Sequence, residues 1–161
     1  MGITDYIGGR SEAIASMHLS ATCRLESDLP YFWPHYLGEK CQTFDFLVEL
    51  VDAGDETPFF FVQVKGTRKD YTKREGRLDV EVSAREVLRM VSFPAPTYLV
   101  GVHEKETRAF VISVHGLMRE AIPSITTGHE LNPYTLRRLW DEVRAFWHGR
   151  DMSRRGSHFT N

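Results

Sequence analysis

Two runs in the first half of the chain are built almost entirely of β-branched and aromatic residues: Phe44-Asp45-Phe46-Leu47-Val48-Glu49-Leu50-Val51 and Phe59-Phe60-Phe61-Val62-Gln63-Val64-Lys65. Such residues fit a pleated surface, and Asp52-Ala53-Gly54-Asp55 between them has turn chemistry. The two runs therefore predict an antiparallel pair. Their near-continuous apolar character predicts a sheet covered on both faces. A 3.6-residue period replaces this pattern elsewhere. Ile14, Met17 and several alanines predict a helix over about Arg10 to Cys23, with Ser11 as its N-cap and Gly8-Gly9 as a preceding loop. Ser83, with Glu86 three residues on, is a capping box opening a helix over Ala84 to Val91, which Phe93-Pro94-Ala95-Pro96 ends. Leu136, Leu139, Trp140, Val143, Phe146 and Trp147 form one apolar stripe on a helix over Pro133 to Trp147, which packs on the body or on a partner.

Between these elements, Leu78 to Val82 reads as a short strand, and Tyr98 to Val102 and Ala109 to Val114 as two more, joined by a turn at His103 to Thr107. Leu29 to Pro34, aromatic and proline-rich, reads as a loop. The order is helix, hairpin, strand, helix, two strands, helix, which predicts an α/β fold with a mixed central β-sheet flanked by helices. A length of 161 residues suits one domain. We expect it to span residues 1–150, with a polar tail over 151–161.

Composition narrows the class. No apolar run approaches the roughly 20 residues needed to cross a bilayer, and the N-terminus has no secretory pattern. Cys23 and Cys41 match no metal-ligand spacing. Both are expected as buried free thiols, which fits a cytoplasmic location. The formal net charge of -2 gives no overall basic excess for a nucleic acid, so any such contact must come from local charge.

Local charge gathers around the second run. Side chains alternate faces along a strand, so Gln63 and Lys65 share one face, and Asp45 shares its face with Leu47 and Glu49. Polar groups ending an apolar strand either reach solvent or form a site, because burying them unpaired is costly. Glu12, read alone, is a solvated first-turn glutamate favoured by the helix dipole. Glu49 reads as a solvent-facing strand residue. The polar loop after Lys65 carries Arg68, Lys69, Lys73, Arg74 and Arg77. These are either a solvated charge run or contacts to a nucleic-acid backbone. The scattered histidines, His18 among them, show no ligand spacing.

A helix carrying a glutamate, a hairpin with Asp on its first strand, and Gln-X-Lys on its second resemble the PD-(D/E)XK, or restriction-endonuclease-like, superfamily. Gln63-Val64-Lys65 resembles the Gln-X-Lys variant of Mrr-like enzymes and bacterial defence nucleases, and Arg10-Ser11-Glu12-Ala13 resembles their first-helix motif. Pro94 to Val100 resembles the strand after the next helix in related bacterial domains. The likeness covers roughly Gly8 to Leu117. Where relatives carry small residues around the strand Asp, this chain has Phe44 and Phe46.

The resemblance implies a restriction-endonuclease-like core and a Mg²⁺-dependent (or Mn²⁺-dependent) endonuclease acting on DNA, in bacterial anti-phage defence. It implies Glu12, Asp45, Gln63 and Lys65 as catalytic residues. Glu12, Asp45 and the Val64 carbonyl would be the metal ligands, and Lys65 would orient the attacking water or face the charge developing on phosphate. A homodimer or a larger defence partner would supply specificity. Two other readings stand beside this one: a binding or scaffold module with its catalysis lost, and an assembly protein that uses the last helix as its interface. Geometry separates them. In a live site the Glu12 and Asp45 carboxylates converge with Lys65 nearby. In a dead one Phe44 or Phe46 fills the space, or Lys65 pairs elsewhere.

Overall fold

The computed structural model of the chain describes residues 3–150; the polar tail expected over 151–161 lies outside the described residues. A five-stranded mixed sheet in the order β1-β2-β3-β4-β5 forms the centre of an α/β fold. The strands are β1 (Phe32–Tyr36), β2 (Phe46–Leu50), β3 (Phe59–Thr67), β4 (Thr97–His103) and β5 (Arg108–Ser113). β1 pairs antiparallel with β2, and β2 with β3, the latter pair as the turn at Asp52 predicts. β3 and β4 run parallel and β4 and β5 antiparallel. Three helices flank the sheet: α1 (Ile3–Leu19), α2 (Ala84–Val91) and α3 (Pro133–Trp147).

Strand alternation assigns each apolar residue to one of two cores. Phe46, Val48, Phe60, Val62, Tyr98, Val100, Val102, Ala109 and Val111 pack with Ile14, Ala15 and Leu19 of α1 and Leu136, Leu139 and Val143 of α3. Leu99 and Phe110 pack on the other face with Phe44, with Val87 and Met90 of α2, and with Leu78, Val80, Val82, Ile122 and Ile125 from two loops. The sheet is thus covered on both faces, and the α3 stripe packs on the body of this chain. The Trp140 and Trp147 indole N–H groups reach the Val51 and Phe59 carbonyls at 3.1 and 2.8 Å. The capping box forms at Ser83 and Glu86, and Asn132 caps α3.

Four local expectations are corrected. Helix α1 begins at Ile3 and runs through Gly8 and Gly9, so these are not a loop and Ser11 is not its N-cap. Phe32–Tyr36 is a strand, because an edge position tolerates Pro34. Leu78–Val82 forms only two isolated bridges, to Ile125 and Ile122. Gly101 makes room for that loop pair: a Cβ there would stand 2.4 Å from Ile125 Cδ1. Cys23 and Cys41 are free but only half-buried. Among the described residues no helix is long and apolar enough to cross a membrane.

Candidate active site

The sheet has a discontinuity where the polar residues gather. β2 begins at Phe46, but β3 continues past it to Thr67, leaving the far end of β3 without a partner strand on that side. Asp45, the residue before β2, fills the first vacancy. Its N–H donates to the Val62 carbonyl at 2.9 Å, and its Oδ2 accepts the Val64 N–H at 2.6 Å. Within a strand, the N–H and C=O of one residue face the same edge, so the Val64 carbonyl opens toward the side that the Asp45 carboxylate occupies.

Helix α1 closes this end of β3. It comes very near at Gly66, where a Cβ would stand 1.7 Å from Ser11 Oγ. Ser11 itself is buried and donates to Glu104 Oε1 at 2.6 Å. That anchoring brings the next residue, Glu12, near Asp45, and the same Glu12 carboxylate raises the Tyr36 hydroxyl above its ordinary range. Burial, then the nearby Glu12 carboxylate, pushes the Asp45 carboxyl up to about 6, against the pull of the Val64 N–H and Lys65.

Lys65 lies on the same strand face as Gln63. Its ammonium donates to Glu86 Oε1 at 2.7 Å, and the other Glu86 oxygen accepts from the Ser83 N–H and hydroxyl, both at 2.8 Å. Although burial opposes it, the hydrogen bond from Lys65 and those from Ser83 bring the Glu86 carboxyl down to about 2. Gln63 is buried, and its Oε1 has no hydrogen-bond partner among the described residues. Asp45 thus has the Glu12 carboxylate and the Lys65 ammonium as charged neighbours, and that ammonium is already engaged by Glu86.

The flanking aromatics do not fill this site. Phe44 stacks on Phe61 in one core and Phe46 packs into the other. Glu49 is exposed and pairs with His35 at 2.7 Å. In the basic loop, Lys73 and Arg74 are exposed and make no ion pair among the described residues. Lys69 pairs with Asp79 at 3.0 Å, and Arg68 Nε stands 4.0 Å from Glu104. Arg77 is tied to the Ser124 hydroxyl and carbonyl, both at 2.9 Å, so it holds two loops together. Tyr71 stacks on His103 and donates to Glu106. His18 lies 2.7 Å from the Thr107 carbonyl.

The sequence pattern therefore points to Glu12, Asp45, Gln63 and Lys65, and the fold brings Glu12, Asp45 and Lys65 into electrostatic contact. Glu86 escapes that reading. Its cap role is local, but its pairing with Lys65 spans 21 residues. Among the described residues no three His, Cys, Asp or Glu side chains group as a metal cluster. Two carboxylates and a backbone carbonyl are nevertheless an oxygen set of the kind Mg²⁺ uses, since that ion keeps several of its waters. No family model matches the chain, and neither a search of curated proteins nor one of solved structures gives a match.

Proposed function

We propose that this chain is a metal-dependent nuclease of the restriction-endonuclease-like type, hydrolysing DNA phosphodiester bonds in bacterial defence. The observation that carries the reading is the meeting of Glu12 and Asp45 at the open edge of β3. Two carboxylates pressed together, one of them pushed up to about 6, are an arrangement that a divalent cation relieves. The residues fit such an ion: Glu12 and Asp45 supply anionic oxygens, the Val64 carbonyl faces the same space, and the unpartnered Gln63 Oε1 lies on the same strand. When bound, Mg²⁺ or Mn²⁺ neutralises charge on a phosphate and acidifies a water.

The chain's own groups do the rest. Asp45 is held in place by the Val64 N–H, so its other oxygen has a fixed direction. Lys65 offers an ammonium toward the phosphate oxygens, where negative charge grows as the bond breaks. Glu86 fixes that ammonium, and must share it when a phosphate arrives. Among the described residues of this loop, Lys73 and Arg74 are the cations without an ion pair and are available for backbone contact; Lys69 can join by leaving its weak surface pair with Asp79, whereas Arg68 also faces the buried Glu104.

A second reading has one observation in its favour. Lys65 is already paired with Glu86, as in a nuclease fold kept only for binding. Incubating supercoiled plasmid with Mg²⁺ or Mn²⁺ separates the two. We expect nicking or linearisation that stops with EDTA and is lost in Asp45→Ala and Lys65→Ala. Equal inertness of wild type and variants on plasmid, single-stranded DNA and RNA, together with no cation binding by calorimetry, would decide for the scaffold.

A further inference from the structure

One face of the β1–β2 hairpin is open. Trp33 pairs across to Glu49 and His35 to Leu47, and in the next step the Leu37 N–H bonds the Asp45 carbonyl at 2.9 Å. Alternation puts Trp33, His35, Leu47 and Glu49 on one side of the sheet, and Asp45 stands before β2 at one end of that row, with its carboxylate turned to the Val64 N–H. Helix α2 covers that side over the later strands, but Trp33 is 64% exposed and His35 and Glu49 are exposed beside it. The Trp33 and His35 rings are parallel to within 6°, with centroids 6.5 Å apart. They do not make a close stack with each other. They are presented side by side, His35 about two residues (about 7 Å) and Trp33 about four residues (about 13 Å) along the strand from the position opposite Asp45.

The adjoining edge does not invite another strand. Tyr31 and Leu37 turn their main-chain groups toward β2, so Phe32, Pro34 and Tyr36 turn theirs outward, and Pro34 has no N–H to offer. A second copy added by strand pairing is thus disfavoured, and the face itself is what remains. It is not an oily patch, since Glu49 and His35 pair within it. It presents two parallel ring planes in line with the candidate phosphodiester site. Unpaired nucleobases are the ligands with that shape: each has a π-face to stack, whereas a duplex keeps its faces inside.

We propose that the Trp33–His35 face of β1 is a stacking surface for the bases of a single-stranded nucleic acid whose backbone runs on toward Asp45. The substrate class rests on the nuclease reading; the binding surface does not require hydrolysis. DNA and RNA share the base faces, so both sugars are tested.

The experiment is titration of tryptophan fluorescence in EDTA with oligo-dT, oligo-U and a duplex of equal length. Trp140 and Trp147 are partly buried with their N–H groups bonded, so the quenchable emission belongs to Trp33. We expect quenching by a single strand, roughly ten- to hundredfold weaker binding in Trp33→Ala, near-normal affinity in Trp33→Phe, and no effect of either change on duplex binding. Circular dichroism checks that the variants fold. No quenching by either single strand, or equal loss on single strand and duplex, would overturn the surface. The two readings fail separately. Metal-dependent cleavage of single-stranded DNA and RNA untouched by Trp33→Ala would sink the surface and leave the nuclease. Quenching that depends on Trp33, without cleavage under any condition, would do the reverse.

Discussion

Consecutive residues of α1 each meet an acid next to a strand end, and the two encounters are opposite in kind. Ser11 gives a hydroxyl to Glu104, at 2.6 Å, in a place where Glu104 is 1% exposed. Glu12 gives Asp45 another carboxylate. The first meeting satisfies an oxygen of a buried charge, and the Arg68 guanidinium stands 4.0 Å from the other. The second leaves like charges together in a partly desolvated corner, which stability alone does not favour. One helix turn thus carries an anchor and a frustrated pair, and the anchor holds the frustrated pair in place. Local conflict of this kind, inside an otherwise consistent fold, is a mark of a functional site.

The contrast can be broken first at Gly66, where the helix touches the strand. Gly66→Ala puts a Cβ 1.7 Å from Ser11 Oγ and 2.7 Å from its Cβ, so α1 must move. We predict a loss of about 3 kcal/mol in urea unfolding, with Glu12 displaced from Asp45 and cleavage lost. A variant as stable as wild type would show that the anchor is loose. Next, Asp45→Asn acts in the other direction. Asparagine keeps an oxygen for the Val64 N–H and removes one of two clashing charges. In EDTA at pH 7 the variant should be more stable by about 2 kcal/mol, after allowing for solvent screening, and inactive. Divalent cations should raise the melting temperature of wild type but not of Asp45→Asn. A destabilised variant would mean that the two acids are not in conflict. Smaller still, Ser11→Ala should cost about 1.5 kcal/mol by stripping Glu104 of its donor, read by the same unfolding series.

How far the sequence discloses this follows from the range of each interaction. Strand alternation is local, so Gln63 and Lys65 on one face are legible; Asp45, read inside the first run with Leu47 and Glu49 on its face, instead stands before β2, where Phe44 and Phe46 turn into opposite cores. The capping box at Ser83 and the asparagine-capped α3 are local too. Ser11 is not: a serine before a helical run looks like an N-cap, and only a partner 93 residues away makes it an anchor. Gly8 and Gly9 look like a break, yet nothing lies within 4 Å of a Cβ at either; helix-compatible backbone is all they supply. β1 hides behind Pro34, which a central strand excludes and an edge strand accepts. Glu86 is visible as a cap and invisible as the partner of Lys65.

Glu86 gives a fine probe of the comparison, because its titration runs opposite to that of Asp45. Asp45, raised to about 6 in the fold, contributes stability that is full below about 3.8 and lost as pH rises through 6. Glu86, lowered to about 2, contributes stability that is present above about 4.5 and lost as pH falls through 2. Metal-free wild type should therefore lose stability on both sides of a maximum near pH 4 to 5, as far as these two groups decide it. Glu86→Gln should cost about 1 kcal/mol at neutral pH, since the cap retains an amide oxygen and the Lys65 pair is part-exposed. It should flatten the acid limb and leave the slope between about pH 5 and 6 unchanged. Asp45→Asn should flatten that upper slope alone. If one substitution alters both limbs, the two carboxylates titrate as one cluster through Lys65, and Glu86 belongs to the charged site itself rather than to its support.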